Sequence, residues 1–364
     1  MERRELLMLA KKVLSLPTAP YHEHAVREFV LKYCCDLGLS VESDRAGNAI
    51  AKYRRSVPGR SRSRYPPLAF AAHMDHPGFE ALGPRRAEFL GGVPQELFRG
   101  GRARFFADGR VVRARVRRVL PGWPKRKILT LELEPGIGTL EPGTPGMWDV
   151  PAFRVASGKL HAATIDDVLS VVVVLATLAE VKRRRLNTHV WGLFTRAEEV
   201  GFHGAVELAR SRRIPHNALV VSMEMSRERP WARIGDGPVV RVGDRVTTFD
   251  PLATLFLQEV AKRSAIRVQR CLMDGGSCEA TAYAAFGYRA GGLCLPLGNY
   301  HNIGKNLRPR AEYVNVSDLE RLLQLTIAAA ERWKDFGKAA DCLRAWVEEI
   351  RKRAPRELRP GSAR

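Results

Sequence analysis

The chain reads as an α/β protein with a small all-β domain inserted into it, on three observations. Apolar runs bounded by Pro or Gly, such as LAFAA at 68–72, have the length of buried strands. Stretches with apolar residues at helical spacing alternate with such runs on either side of the insertion. Between about 83 and 158 the texture changes to short alternating strands broken by turns such as LPGWPK and LEPGTPG.

The elements follow in order. LLMLAKKVLSL and EHAVREFVLKYCCDLGL predict two helices separated by PTAPY. VESDRAGNAIAKY predicts a strand pair around Gly47-Asn48, and the 68–72 strand follows. In the insertion, Asp108-Gly109 between two alternating runs predicts a hairpin. From Ile165 the α/β rhythm resumes. DDVLSVVVVLATLAEVKRR is a helix, THVWGLFTRAEE a strand, GFHGAVELARSRR a helix and ALVVSMEM a strand. DPLATLFLQEVAKRSA is a helix capped by Asp250, and GGSCEATAYAAFG is a shorter one. GGLCLPLGNYHN runs as a strand into a loop, and VSDLERLLQLTIAAAERWKDF closes as a helix with a capping-box-like start at Ser317 and Glu320. The predicted division is 1–82 and 159–345 for a two-part catalytic domain, 83–158 for the insertion, and 346–364 for a basic, disordered tail.

Composition is that of a globular protein, 45% hydrophobic and 27% charged, with no run long enough to cross a membrane. Six cysteines without a C-x-x-C pair predict reduced thiols in a cytoplasmic protein. The net charge of +21 favours acidic partners. It is spread over 54–64, 101–118, 182–185 and 351–364 without a nucleic-acid recognition motif, so contact with nucleic acid is expected to be non-specific only.

The chemistry sits where strands end. The 68–72 run delivers His73, Asp75 and His76, and the next α/β segment opens with Asp166-Asp167. Later strands end in Glu198-Glu199, in Glu224, and in a loop bearing Tyr300 and His301. Carboxylates gathered at one sheet edge repel unless a cation neutralises them, and two histidines with several carboxylates suit divalent ions such as Zn²⁺, with Co²⁺ or Mn²⁺ as alternatives. His22 and His24 stand two apart and do not share a helix face, so they are read as a helix start. His76, Asp167 and Tyr300 are expected to line the site, as is His161.

These motifs resemble the dinuclear zinc aminopeptidases of the TET and glutamyl-aminopeptidase (deblocking aminopeptidase) type, within the co-catalytic zinc exopeptidases. AAHMDHPGF is similar to that family's His-x-Asp strand end, TIDDVLS to its bridging-Asp segment, AEEVGFHGA to its Glu-Glu element, SMEMS to its third carboxylate and PLGNYHN to its final histidine. The all-β insertion lies where the family carries its dimerisation domain. The resemblance implies the zinc-exopeptidase fold, a mixed central sheet flanked by helices, with a barrel-like insertion. It implies one ion held by His73, Asp166 and Glu224 and a second held by Asp166, Glu199 and His301. Asp75 would orient His73, and Glu198 would act as general base on a water activated by the two ions. The implied activity is aminopeptidase action on small peptides by a homo-oligomer, dimer to dodecamer, built through the insertion. The resemblance also implies that GGSCEATAY, with Cys278, lies close to the metals. Three positions depart from the pattern: Glu224 stands where the family has Asp, His76-Pro77 where it has Glu-Ile, and the final motif lacks the usual Arg. Glu224 motivates the alternative of a carboxypeptidase or N-acyl amino acid deacylase on the same metal site. A second alternative is an inactive homologue whose basic surface holds nucleic acid.

Overall fold

A computed structural model describes residues 1–55, 66–107, 109–120, 128–135 and 139–353. Helices α1 (Arg3–Leu14) and α2 (His24–Asp36) lead into strands β1 (Ser40–Ser43), β2 (Ala49–Arg54) and β3 (Leu68–His73). Six strands of the insertion follow: β4 (Gly78–Gly83), β5 (Arg86–Leu90), β6 (Arg102–Ala107), β7 (Arg110–Val119), β8 (Ile128–Pro135) and β9 (Pro145–Trp148). The chain returns through β10 (Phe153–Ala156), β11 (Lys159–Ala162), α3 (Ile165–Arg183), β12 (His189–Thr195), α4 (His203–Arg210) and β13 (Leu219–Arg227). It continues through β14 (Val239–Asp244), α5 (Pro251–Arg263), β15 (Gln269–Met273), α6 (Glu279–Ala285) and β16 (Arg289–Leu297). It ends with β17 (Glu312–Asn315), α7 (Val316–Glu331) and α8 (Ala339–Lys352).

The central sheet is mixed, in the order β1-β2-β12-β3-β13-β16-β14-β15. β12, β3, β13 and β16 are mutually parallel neighbours, so their carboxyl ends lie along one edge. Alternation in the strands feeds two cores. Leu68, Phe70 and Ala72 of β3 join the large cluster under α1, α3, α5 and α7, whereas Ala69 and Ala71 face the one under α4 and α6. α3 is buried nearly all round, which explains its unbroken valine-rich sequence.

The insertion is a closed barrel, ordered β4-β5-β8-β7-β6-β9 around Phe79, Phe89, Phe98, Phe105 and Trp148. Each buried aromatic of this kind contributes about 1.5–3 kcal/mol by leaving water. The barrel begins at Gly78, immediately after the His73–His76 segment, rather than at 83. Its last strand ends at Trp148, and β10 and β11 belong to a separate sheet with β17. The sequence could not separate them because both segments alternate alike.

Other expectations shift in detail. Asp250 caps α5 by accepting from the Ala253 N–H at 2.8 Å. The start of α7 is capped by Asn315, which accepts from Ser317 and Asp318, while Glu320 pairs with Arg3. Residues 346–352, expected in a disordered tail, continue helix α8. Their apolar positions at helical spacing account for this. The basic stretch 56–64, the LPGWPK turn from 121, Asp108 and the tail from 354 lie outside the described residues.

Candidate active site

The carboxyl ends of the four parallel strands place the predicted residues side by side. His73 is the last residue of β3, opposite Thr195 of β12, and Glu198-Glu199 follow β12 directly. Glu224 lies within β13, opposite Cys294 of β16. His301 follows β16 on a short turn, and Asp166 enters at the start of α3. Asp166 and Asp167 are not helical, and a cis peptide joins them. Asp167 is thus a buried acceptor rather than a helix-terminal acid, and its Oδ2 takes the His73 N–H at 3.2 Å.

The imidazoles are oriented by the bond each makes on its far side. His73 Nδ1 donates to the Asp75 carbonyl at 3.1 Å, leaving Nε2 3.8 Å from both Asp166 Oδ1 and Glu198 Oε2. His301 Nδ1 donates to the Gly92 carbonyl at 2.9 Å, leaving Nε2 3.5 Å from Asp166 Oδ2 and 3.3 Å from Glu199 Oε1. A neutral imidazole with Nδ1–H engaged offers its Nε2 lone pair to a metal. His73, Asp166 and Glu199 could share an ion, as could His73, Glu198 and Glu224.

Asp75 stands beside His73 and also makes contacts the sequence did not suggest. Its carboxylate lies 3.4 Å from His73 Nδ1, but its oxygens accept the backbone N–H groups of Glu198 and Glu199, each at 3.0 Å. It thereby fixes the backbone of both glutamates at once. Three further carboxylates repeat the device in four contacts: Asp167 on His73, Glu312 on both Asp166 (2.9 Å) and His301 (2.8 Å), and Glu23 on Ala197 (2.9 Å). Ala197 and His301 both hold positive φ, which costs of order 1 kcal/mol or more in non-glycine residues. These buried acceptors hold those turns in place.

Electrostatics follows from this crowding. Burial, with Glu199 and Glu224 nearby, holds Glu198 well above the usual carboxylate range against the pull of His73. Burial pushes Glu224 up to about 8, opposed by His73 and Arg241. Burial also acts on Glu199, but His301 and His73 outweigh it and draw it down to about 2. Asp166 Oδ1 and His301 Nε2 are buried without a hydrogen-bond partner among the described residues. Unpartnered donor atoms of this kind among mutually repelling carboxylates fit a divalent cation.

The remaining predicted residues divide. His76 is engaged on both nitrogens, with the Asp166 carbonyl and with Asn302 at 2.9 Å, so it braces the site and is not free to ligate. Tyr300 stacks on His301 at 3.8 Å and lines a cavity of about 150 Å³ with Glu224. Cys278 is buried beside α6, its N–H bonded to Asp244, and burial pushes its thiol up, so it packs. His22 pairs with Glu80, and His161 lies against Tyr313, both away from the ligand cluster.

Sequence reasoning missed Glu312, Glu23 and Arg241. Arg241 is 3% exposed on β14 and lines the same cavity as Arg227 and Arg229. Burial opposes its charge, but anionic neighbours including Glu224 hold it protonated. A charged residue inside the apolar run VVRV was the available signal for Arg241.

The sequence model of the M42 glutamyl aminopeptidases matches residues 136–325. The chain belongs to that family. It is accordingly a hydrolase, a metal-dependent aminopeptidase. It is 25% identical over 351 residues to a putative aminopeptidase of Acetivibrio thermocellus, covering 90% of this chain and 99% of that one. It is 23% identical over 289 residues to the lysyl aminopeptidase of Pyrococcus furiosus, covering 72% and 79%. Among solved structures, an aminopeptidase from Desulfurococcus kamchatkensis superposes with a TM-score of 0.73 at 22% identity, covering 90% and 95%. The TET1 peptidase of Pyrococcus horikoshii, which assembles into a tetrahedron or an octahedral shell, gives 0.72 at 21%, covering 89% and 99%. At these identities the structural likeness establishes the zinc-exopeptidase fold. No helix among the described residues is long and apolar enough to cross a membrane.

Proposed function

We propose that this protein removes N-terminal residues from small peptides at a dinuclear centre, with Zn²⁺ as the expected metal and Co²⁺ or Mn²⁺ as substitutes. The observation that carries this is Asp166, whose two oxygens face His73 Nε2 on one side and His301 Nε2 on the other. A carboxylate between two imidazoles is what a bridging ligand requires. His73, Asp166 and Glu224 would hold one ion, and Asp166, Glu199 and His301 the other. The ions, when bound, acidify a water and polarise the scissile carbonyl.

The chain's own groups do the rest. Glu198 takes the proton from the attacking water and returns it to the leaving amine. Asp75, through the Glu198 N–H, fixes the base beside the ligands. Arg241, Arg227 and Arg229 around the adjacent cavity favour a substrate with an acidic first side chain. Free thiols at all six cysteines support a cytoplasmic setting, and the barrel is the surface proposed for self-association.

The test uses one tripeptide set, N-terminus free or acetylated, with metal-loaded enzyme and products followed by mass. Release of first residues from the free-amine set alone, fastest from Glu- and Asp-terminated peptides, is the expected result. Release of acetyl groups or C-terminal residues would overturn it. In that case Glu224 with buried Arg241 marks a carboxypeptidase or deacylase, the arginine taking the α-carboxylate. Equal rates on Glu- and Leu-terminated peptides would remove the acidic preference alone.

A further inference from the structure

Peptide hydrolysis leaves the charge of the barrel surface unexplained. β6 and β7 pair antiparallel, with Ala103, Phe105, Val112, Ala114 and Val116 buried inside the barrel. The pleat leaves Arg102, Arg113 and Arg115 exposed on the outside, with Arg104 half-buried beside them. Arg102 stands directly opposite Arg115, and Arg104 directly opposite Arg113. Like charges in directly opposed positions, with Cβ atoms about 5 Å apart, destabilise a sheet. Protein neighbours compensate only in part. Asp149 lies 3.3 Å from Arg113, and among the described residues no ion pair reaches Arg102, Arg104, Arg110 or Arg115. Glu134 is opposite Arg115 on β8 without closing to an ion pair, whereas Arg117 and Arg118 share Glu132 at 2.7 and 2.6 Å. The row continues past the strand ends. The guanidinium groups of Arg115 and Arg308 meet over Gly100, 3.4 and 3.6 Å from where its Cβ would stand.

We propose that this arginine face binds the phosphate backbone of nucleic acid. Guanidinium forks match phosphate oxygens in pairs, and a polyanion removes the repulsion that the sheet otherwise carries. Base stacking is not provided for, since Phe106 is half-buried with Arg104 over its ring at 5.8 Å. Binding is therefore through the backbone and independent of sequence. An anionic lipid surface is a poorer partner, because Val111 is the one large apolar side chain exposed on β6 or β7 among the described residues.

Full-length protein is titrated into a labelled mixed-sequence DNA duplex, and anisotropy is followed between 50 and 200 mM salt. About five phosphate contacts give a log–log slope near −4.5 and a loss of roughly 500-fold over that range. The variant Arg102→Thr, Arg110→Thr, Arg113→Thr, Arg115→Thr is expected to bring the slope to about −1 and to keep peptidase activity. Arg115→Glu alone, which turns a repulsive pair attractive, guards against misfolding and should cut the slope by about 2. A comparison variant removes four exposed arginines elsewhere, at Arg4, Arg210, Arg212 and Arg344. Equal weakening by that variant would overturn the proposal, assigning binding to the diffuse field. A change of particle mass without loss of DNA binding would also overturn it, making the face a contact between copies. Retention by phosphatidylserine vesicles but not by DNA would do the same.

Discussion

At the scale of the residue, two buried glutamates near the site do opposite kinds of work. Glu198 points into the cluster, 3.8 Å from His73 Nε2, while Glu312 is directed at the backbone behind Asp166 and His301. On the proposed mechanism, replacing the first removes a proton carrier, and replacing the second loosens two ligands. Glu198→Gln should lower kcat by about 10²–10⁴-fold with bound metal unchanged. Glu312→Gln should weaken metal affinity by about 10–100-fold and regain activity in excess metal. Metal titrations read beside kcat separate the two, and a Glu312→Gln enzyme that stays inactive at saturating metal would refute the positioning role. Glu198 was legible in the sequence because it adjoins a ligand. Glu312 was not, because a lone carboxylate in a short strand has no local signature.

At the scale of the element, α3 joins the site to the rest of the domain. Its first residues carry Asp166 and Asp167, and its last turn carries Glu180, paired with Arg183 at 2.7 Å and Arg184 at 2.8 Å. Hydrogen bonds from Arg183 lead the effects that bring Glu180 down to about 2 against the cost of burial, with the Met1 amine and Arg184 adding to them. A carboxylate depressed in the folded state stabilises above its unfolded value, near 4.5, and the contribution is lost as pH falls towards 2. Half-exposed arginines reduce the effect by solvent screening, to about 1–2 kcal/mol. Glu180→Gln should therefore be less stable than wild type at pH 7 and equal to it near pH 2. Denaturant midpoints at both pH values test this, and a gap that persists in acid would count against it.

At the scale of the whole molecule, the four central strands make a scaffold whose open edge is lined with repelling carboxylates. Divalent ions that neutralise them bind the folded state and not the unfolded chain, so they stabilise it by mass action. Chelation should abolish hydrolysis and lower the thermal midpoint by several degrees, with both restored on adding Zn²⁺ or Co²⁺. An unchanged midpoint with lost activity would mean that the ions contribute to chemistry alone. The barrel has its own aromatic core and also reaches this edge, where the Gly92 carbonyl between β5 and β6 accepts from His301 at 2.9 Å.

The sequence by itself determined the elements, the two-part α/β domain with its β insertion, and the polar residues at each strand end. Those features are local: periodicity, turn residues and apolar runs are read within a dozen positions. Only the tertiary structure decided that β12, β3, β13 and β16 are neighbours, and hence that His73, Glu198, Glu224 and His301 meet. Strand order rests on pairings between distant segments, which leave no mark in either segment alone. The same holds for the bonds of Asp75, Asp167 and Glu312 and for buried Arg241. A carboxylate's role depends on which N–H folding brings to it, and that is settled by packing across the chain.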